Sequence, residues 1–171
     1  LYTYASTGTP SDKALGIIVA GTAGSSKGLI GWRLKNTTGG VIKSLRVAWT
    51  GEQWASVASS SLNQYLYLYY RKATTVTSIT SGTWTTAGSN FQSLKNSTTT
   101  SLDGNLAANR TVKSVVISNL NMANNTEIML RWELLKVLNP HQMAIDDVTV
   151  TALLDQEITF DPLDDVTYGD S

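Results

Sequence analysis

The chain has 171 residues with 13 basic and 13 acidic side chains, so its net charge is zero and it has no field to draw in a phosphate backbone. Hydrophobic residues make up 42%, which excludes a disordered tail, and the length suffices for one domain with its own core. The absence of cysteine excludes disulfides and thiolate metal sites.

No run approaches the roughly 20 apolar residues of a membrane-spanning helix. No basic segment precedes an apolar one, so no leader is visible and the chain reads as a mature or trimmed product. Roughly two fifths of the residues are Ser, Thr, Asn or Gly. That bias suits short strands joined by polar turns, and it is common in extracellular bacterial proteins.

Alternation with period two dominates the chain. The Gly- and Ser-rich stretch 21–28 reads as a flexible loop without phosphate-loop spacing. Ile30 to Lys35 alternates apolar and polar, which predicts a strand with Trp32 inward, and Asn36 to Gly40 predicts a turn. Leu45, Val47 and Trp49 share a face in the next strand. From Gln64 to Lys72, Tyr65, Tyr67 and Tyr69 lie on one face and Leu66, Leu68 and Tyr70 on the other.

Shorter strands are expected at 83–87 and 112–117. In the segment 127–134, Ile128, Leu130, Trp132 and Leu134 face the core, while Glu127, Arg131 and Glu133 face water. Between Gln142 and Thr151 the pattern changes phase, which predicts a bulge near Asp146 and Asp147. No stretch carries a helical stripe. The fold class is therefore all-β, a two-sheet antiparallel β-sandwich of jelly-roll kind. Its expected core holds Trp32, Leu45, Val47, Ile128, Leu130, Trp132, Val148 and Val150. Residues 1–152 form the domain, and 153–171 a C-terminal extension that turns acidic after Phe160.

Four motifs follow one another along the chain: Trp49-Thr50-Gly51-Glu52-Gln53-Trp54, then Ser101 to Arg110 (SLDGNLAANR), then Leu130-Arg131-Trp132, then Ala144 to Ala152 (AIDDVTVTA). In this order they resemble a jelly-roll accessory module of large secreted bacterial surface proteins, over about residues 11–152. The resemblance implies an extracellular or cell-surface location and a role in adhesion or carbohydrate binding. Two departures stand out. Ala55 replaces the Arg that usually follows Gly-Glu-Gln-Trp, and the strand region that usually precedes the segment matching Tyr2-Thr3-Tyr4 is lacking. The tail from Ile158 to Asp170 is similar to the opening of a bacterial immunoglobulin-like repeat. By this comparison the chain lacks a strand at its start and carries a spare one at its end.

Candidate chemistry is sparse, and no catalytic residue is expected. His141, the one histidine, follows Asn139-Pro140 and reads as a surface turn, with no Gly-x-Ser-x-Gly or cysteine to serve. Asp146, Asp147 and Asp103 are candidates for a structural calcium site, with turn capping the favoured role. No other cofactor is expected. Glu52 lacks a matched carboxylate across a cleft and reads as part of a structural network. Tyr65, Tyr67, Tyr69, Trp54 and Trp84 are candidates for glycan stacking, with sheet packing the competing role.

The expected function is a non-catalytic structural or adhesive module. It would be a fimbria-like filament subunit that assembles head to tail by β-strand donation, with Ile158 and Phe160 entering a neighbour. The alternative is a carbohydrate-binding module of a larger secreted enzyme or adhesin. Partners would be copies of itself, neighbouring modules or glycans.

Overall fold

A computed structural model of the chain describes residues 2–19, 27–58, 63–135 and 140–154. Most of the Gly- and Ser-rich loop and the tail from residue 155, including Ile158 and Phe160, lie outside them. Eleven strands run in chain order: β1 Tyr2–Ser6, β2 Thr9–Ile17, β3 Lys27–Lys35, β4 Ile42–Ser56, β5 Tyr65–Ala73, β6 Thr85–Thr86, β7 Phe91–Gln92, β8 Thr100–Ser101, β9 Arg110–Ile117, β10 Glu127–Leu135 and β11 Gln142–Leu154. The one helical element described is a 3₁₀ turn at Ala107–Asn109.

The strands form two antiparallel sheets packed face to face, a β-sandwich. The first sheet has the order β1-β2-β11-β4, with β8 and β9 both on the far edge of the long β4. The second has the order β3-β10-β5, with β6 and β7 on the far edge of β5. The long strands alternate between sheets along the chain, since β2, β4, β9 and β11 lie in one and β3, β5 and β10 in the other. The core is therefore built by residues distant in sequence.

The alternating pattern decides which side chains fill that core. Leu45, Val47 and Trp49 of β4 meet Leu66 and Leu68 of β5 and Ile128, Leu130, Trp132 and Leu134 of β10. The bulge in β11 falls where expected: its register on β4 shifts between Asp146 and Thr149, with Asp147 at φ 50°. Asn36 accepts at Oδ1 from Thr38 N at 3.0 Å, which closes the expected turn, and Gly39 at φ 81° takes the left-handed position there.

Four expectations need correction. Trp32 has the inward parity of its neighbours but is 39% exposed, because β3 is an edge strand with no described strand beyond it. Val148 and Val150 are only partly buried, for they line the same open side. Arg131 and Glu133 lie on the outer face as expected, yet they are 6% and 2% exposed. The segment after β5 folds over Arg131, while Lys27 and Arg131 bond Glu133. β11 also continues through Leu153 and Leu154, which pair with Ser44 and Ile42 of β4, two residues into the stretch set apart as an extension.

Candidate functional site

The Gly-Glu-Gln-Trp motif occupies the C-terminal half of β4, and each of its residues has a structural role. Gly51 lets Phe91 pack on the backbone, since a Cβ there would sit 2.3 Å from the ring. Gln53 is buried and pins the chain after β7: its Oε1 accepts from Leu94 N and Lys95 N at 2.8 and 2.9 Å, and its Nε2 donates to Lys95 O. Trp54 lies against Gly104, where a Cβ would come within 2.4 Å of the indole, and stacks with Tyr4 at 5.4 Å between centroids. Trp54 is thus 7% exposed and belongs to the first sheet, apart from the tyrosines of β5 that are candidates with it for glycan stacking.

Glu52 sits in the same outer layer with no exposed surface, and its Oε2 accepts from Trp54 Nε1 at 2.8 Å. Burial pushes its carboxyl up to about 7. The Trp54 bond and Arg110 oppose this, while the carboxylates of Asp146 and Asp12 add to it. Asp146 is itself raised, first by burial. Trp54, Ala14 and Ala144 cluster in the same layer, with Tyr4 packed against them.

His141 is buried, which corrects its reading as a surface turn. Its Nδ1 accepts from Val57 N at 3.1 Å, and its own N–H donates to Gln64 Oε1 at 2.9 Å. The imidazole closes the loop ends beside β4. Asp103, Asp146 and Asp147 accept local bonds from Asn105 N, Asp147 N and Thr50 Oγ1. Among the described residues no group of three or more metal-ligating side chains is placed to hold a metal ion.

Two other surfaces stand out. The first is the outer face of the second sheet. Tyr65, Tyr67 and Tyr69 form a half-buried ladder along β5, with centroids 5.7 and 6.3 Å apart. Arg131 on β10 lies between Tyr69 and Trp84, and Glu133 beside it bonds both Arg131 and Lys27.

The second is a groove of about 260 Å³ between the sheets, lined by Trp32, Leu34, Ile42, Leu45, Ile128, Val150 and Ala152 among others. β3 forms one wall and pairs only with β10 among the described strands. β11 forms the other; its pairing with β2 covers Met143 to Ile145, so its edge from Val148 onward has no described neighbour. At one end the sheets close, where Ile17 and Val19 pack on Gly28. Sequence periodicity missed this groove, because parity shows which way a side chain points and not whether a strand lies across from it.

No protein-family model, curated protein or solved structure matches the chain.

Proposed function

We propose that this chain is a non-catalytic structural or adhesive module of the bacterial cell surface whose copies join head to tail by β-strand donation into the groove between β3 and β11. The observation that carries the reading is that apolar groove flanked by two strand edges without a partner among the described residues. Unpaired edges beside exposed apolar side chains are association-prone, and one added strand satisfies both needs at once. The half-exposed Trp32 and the partly buried Val150 are the residues such a strand would cover.

The donor expected from the sequence, Leu153–Phe160 of a second copy, is shortened to residues 155–160, because Leu153 and Leu154 already pair with β4. Ile158 and Phe160 share a face when extended and can enter the groove while Thr159 looks outward. Burying the two side chains contributes roughly 3–6 kcal/mol before the ladder hydrogen bonds are counted. Pro162 then ends the strand, since it has no N–H to donate. Such head-to-tail contacts are heterologous and build open filaments. The jelly-roll resemblance of the sequence supports the same reading.

The test is assembly of the full chain, followed by light scattering and electron microscopy at rising concentration. Filaments are expected. Ala152→Arg, at an exposed position in the groove, and Ile158→Asp, in the donor, should each stop growth while the subunit keeps its melting temperature. A full chain that stays monomeric at every concentration overturns the proposal, and so does equal assembly by a chain ending at Leu154.

A further inference from the structure

We propose that the tyrosine ladder of β5, walled by Trp84 and framed by Lys27, Arg131 and Glu133, is a binding site for a neutral, extended polysaccharide chain. This site is separate from the groove. It lies on the outer face of the second sheet, whereas the groove opens between the two sheets.

The floor of the site follows from strand parity. Tyr65, Tyr67 and Tyr69 occupy alternate positions of β5 and so rise from one face. Their rings are tilted by 31° and 44° to one another at 5.7 and 6.3 Å between centroids, a continuous strip of aromatic surface along the strand. Each ring is only half-buried, which leaves contact surface for a ligand.

The wall is fixed by the segment that follows β5. Arg131 Nη1 donates to Ile79 O at 3.0 Å, Arg71 Nη1 to Ser81 O at 2.9 Å, and Glu127 Oε2 accepts from Val76 N at 2.8 Å. Gly31 gives this segment room, since a Cβ there would lie 2.6 Å from Ile79. Trp84 comes at its end, donates from Nε1 to Ser81 O at 3.2 Å, and lies over the Arg131 guanidinium at 3.9 Å. The indole is therefore held in place before any ligand arrives, which lowers the ordering cost of binding.

The polar frame sits beside Tyr67. Glu133 pairs with Tyr67 across the strands and bonds Lys27 Nζ at 2.7 Å and Arg131 Nη2 at 2.9 Å. Burial, then Tyr69, Tyr65 and Glu133, push the Tyr67 phenol up, so it stays a hydrogen-bond donor at neutral pH.

These features select the ligand class. A pyranose has an apolar C–H face that suits an aromatic ring and a rim of hydroxyls that suits phenols and the exposed ammonium of Lys27. A peptide strand finds no open edge here, because β5 is flanked by β10 on one side and by β6 and β7 on the other. The cations are already engaged with Glu133 and with backbone carbonyls, which leaves little attraction for an anionic ligand. The ladder runs along the strand, so a chain of several sugars fits better than a single one.

Affinity electrophoresis of the full chain through gels containing a soluble mixed-linkage β-glucan, a β-mannan, a β-xylan or polygalacturonate tests this. Retardation by at least one of the three neutral polymers is expected. Tyr67→Ala should weaken that binding about tenfold, the effect of removing one stacking ring. Tyr65→Ala, at the end of the ladder, repeats the test should Tyr67→Ala lower the melting temperature. Passage unretarded through all three neutral gels overturns the proposal. So does retardation by polygalacturonate alone, or full binding retained when both tyrosines are replaced. Ala152→Arg in the groove should leave retardation unchanged, which separates this site from assembly.

Discussion

Trp49 of β4 and Trp132 of β10 meet edge to face across the two sheets, 5.9 Å between centroids and 76° between planes. Phe91 continues the cluster against Trp49 at 6.5 Å and 84°. Both tryptophans are essentially inaccessible. Edge-to-face pairs bring the positive ring edge to the negative face and add to the gain from burial. Removing Trp132 takes away a fully buried tryptophan from the inner face of the second sheet. Trp132→Ala should destabilise the fold by about 3–5 kcal/mol in a urea melt. Trp132→Phe should cost much less, since a ring still reaches Trp49. Equal losses for both variants would show that the edge contact contributes nothing.

Gly51 illustrates a different constraint. It lies in a regular strand, and its φ needs no glycine. What it supplies is room, because a Cβ would come 2.3 Å from Cγ of the buried Phe91. Gly51→Ala should therefore cost about 1–3 kcal/mol through overpacking. Reducing the ring as well, in Gly51→Ala with Phe91→Leu, should cost less than the sum of the two single changes. Thermal melts of the four proteins close the cycle, and strict additivity would show that the two sites do not touch.

The faces of β4 and β10 could be read from the sequence because period-two alternation survives wherever one side of a strand is buried. The bulge at Asp146 was legible for the same reason, as a break in phase. What lay beyond reach was the cover on each face. Arg131 and Glu133 carry an outward signature, yet Ile79 and Trp84 close over Arg131, and Lys27 and Arg131 bond Glu133. Trp32 carries an inward signature, and it is exposed because no described strand lies beside β3 there. His141 followed a proline and looked like a turn, yet Val57 and Gln64 draw it inside. The tyrosine ladder was visible as a pattern, but its polar frame joins β3 to β10 through Lys27 and Glu133, residues 106 positions apart by their numbers. Such pairings follow from the sheet order and not from local spacing.

Glu52 makes stability depend on pH. Its folded-state value of about 7 stands above the ordinary 4.5, chiefly through burial. The folded protein therefore holds a proton between these values that the unfolded chain releases. The corresponding stability is fully present below pH 4.5 and is lost as pH rises through 7. Asp146, also raised, acts in the same direction. From pH 5 to pH 8 this contribution should fall by up to about 3 kcal/mol. Glu52→Gln keeps an acceptor for Trp54 Nε1 and has nothing to titrate. Melting temperatures measured across that range should decline for the native chain and change far less for the variant. Parallel curves would show that Glu52 is not the group responsible.

Arg131 and Glu133 provide the sharpest contrast between removing a charge and replacing a pair. Arg131 bonds Glu133 at 2.9 Å and Ile79 O at 3.0 Å beneath Trp84, and Glu133 is only 2% exposed. Arg131→Ala leaves that carboxylate buried with Lys27 as its remaining cation, and it frees the Ile79 carbonyl. The expected loss is about 3–5 kcal/mol. Replacing both, in Arg131→Leu with Glu133→Leu, removes the buried charges together and fills the space with apolar groups. That double variant should recover most of the lost stability, because a buried pair is no more stabilising than well-packed hydrophobic residues. It should still weaken polysaccharide retardation, since Trp84 loses the guanidinium on which it packs while the tyrosine rings remain. A double variant as unstable as Arg131→Ala would mean that the guanidinium matters chiefly as a clamp on the segment after β5. Chemical denaturation alongside the affinity gels separates the two roles.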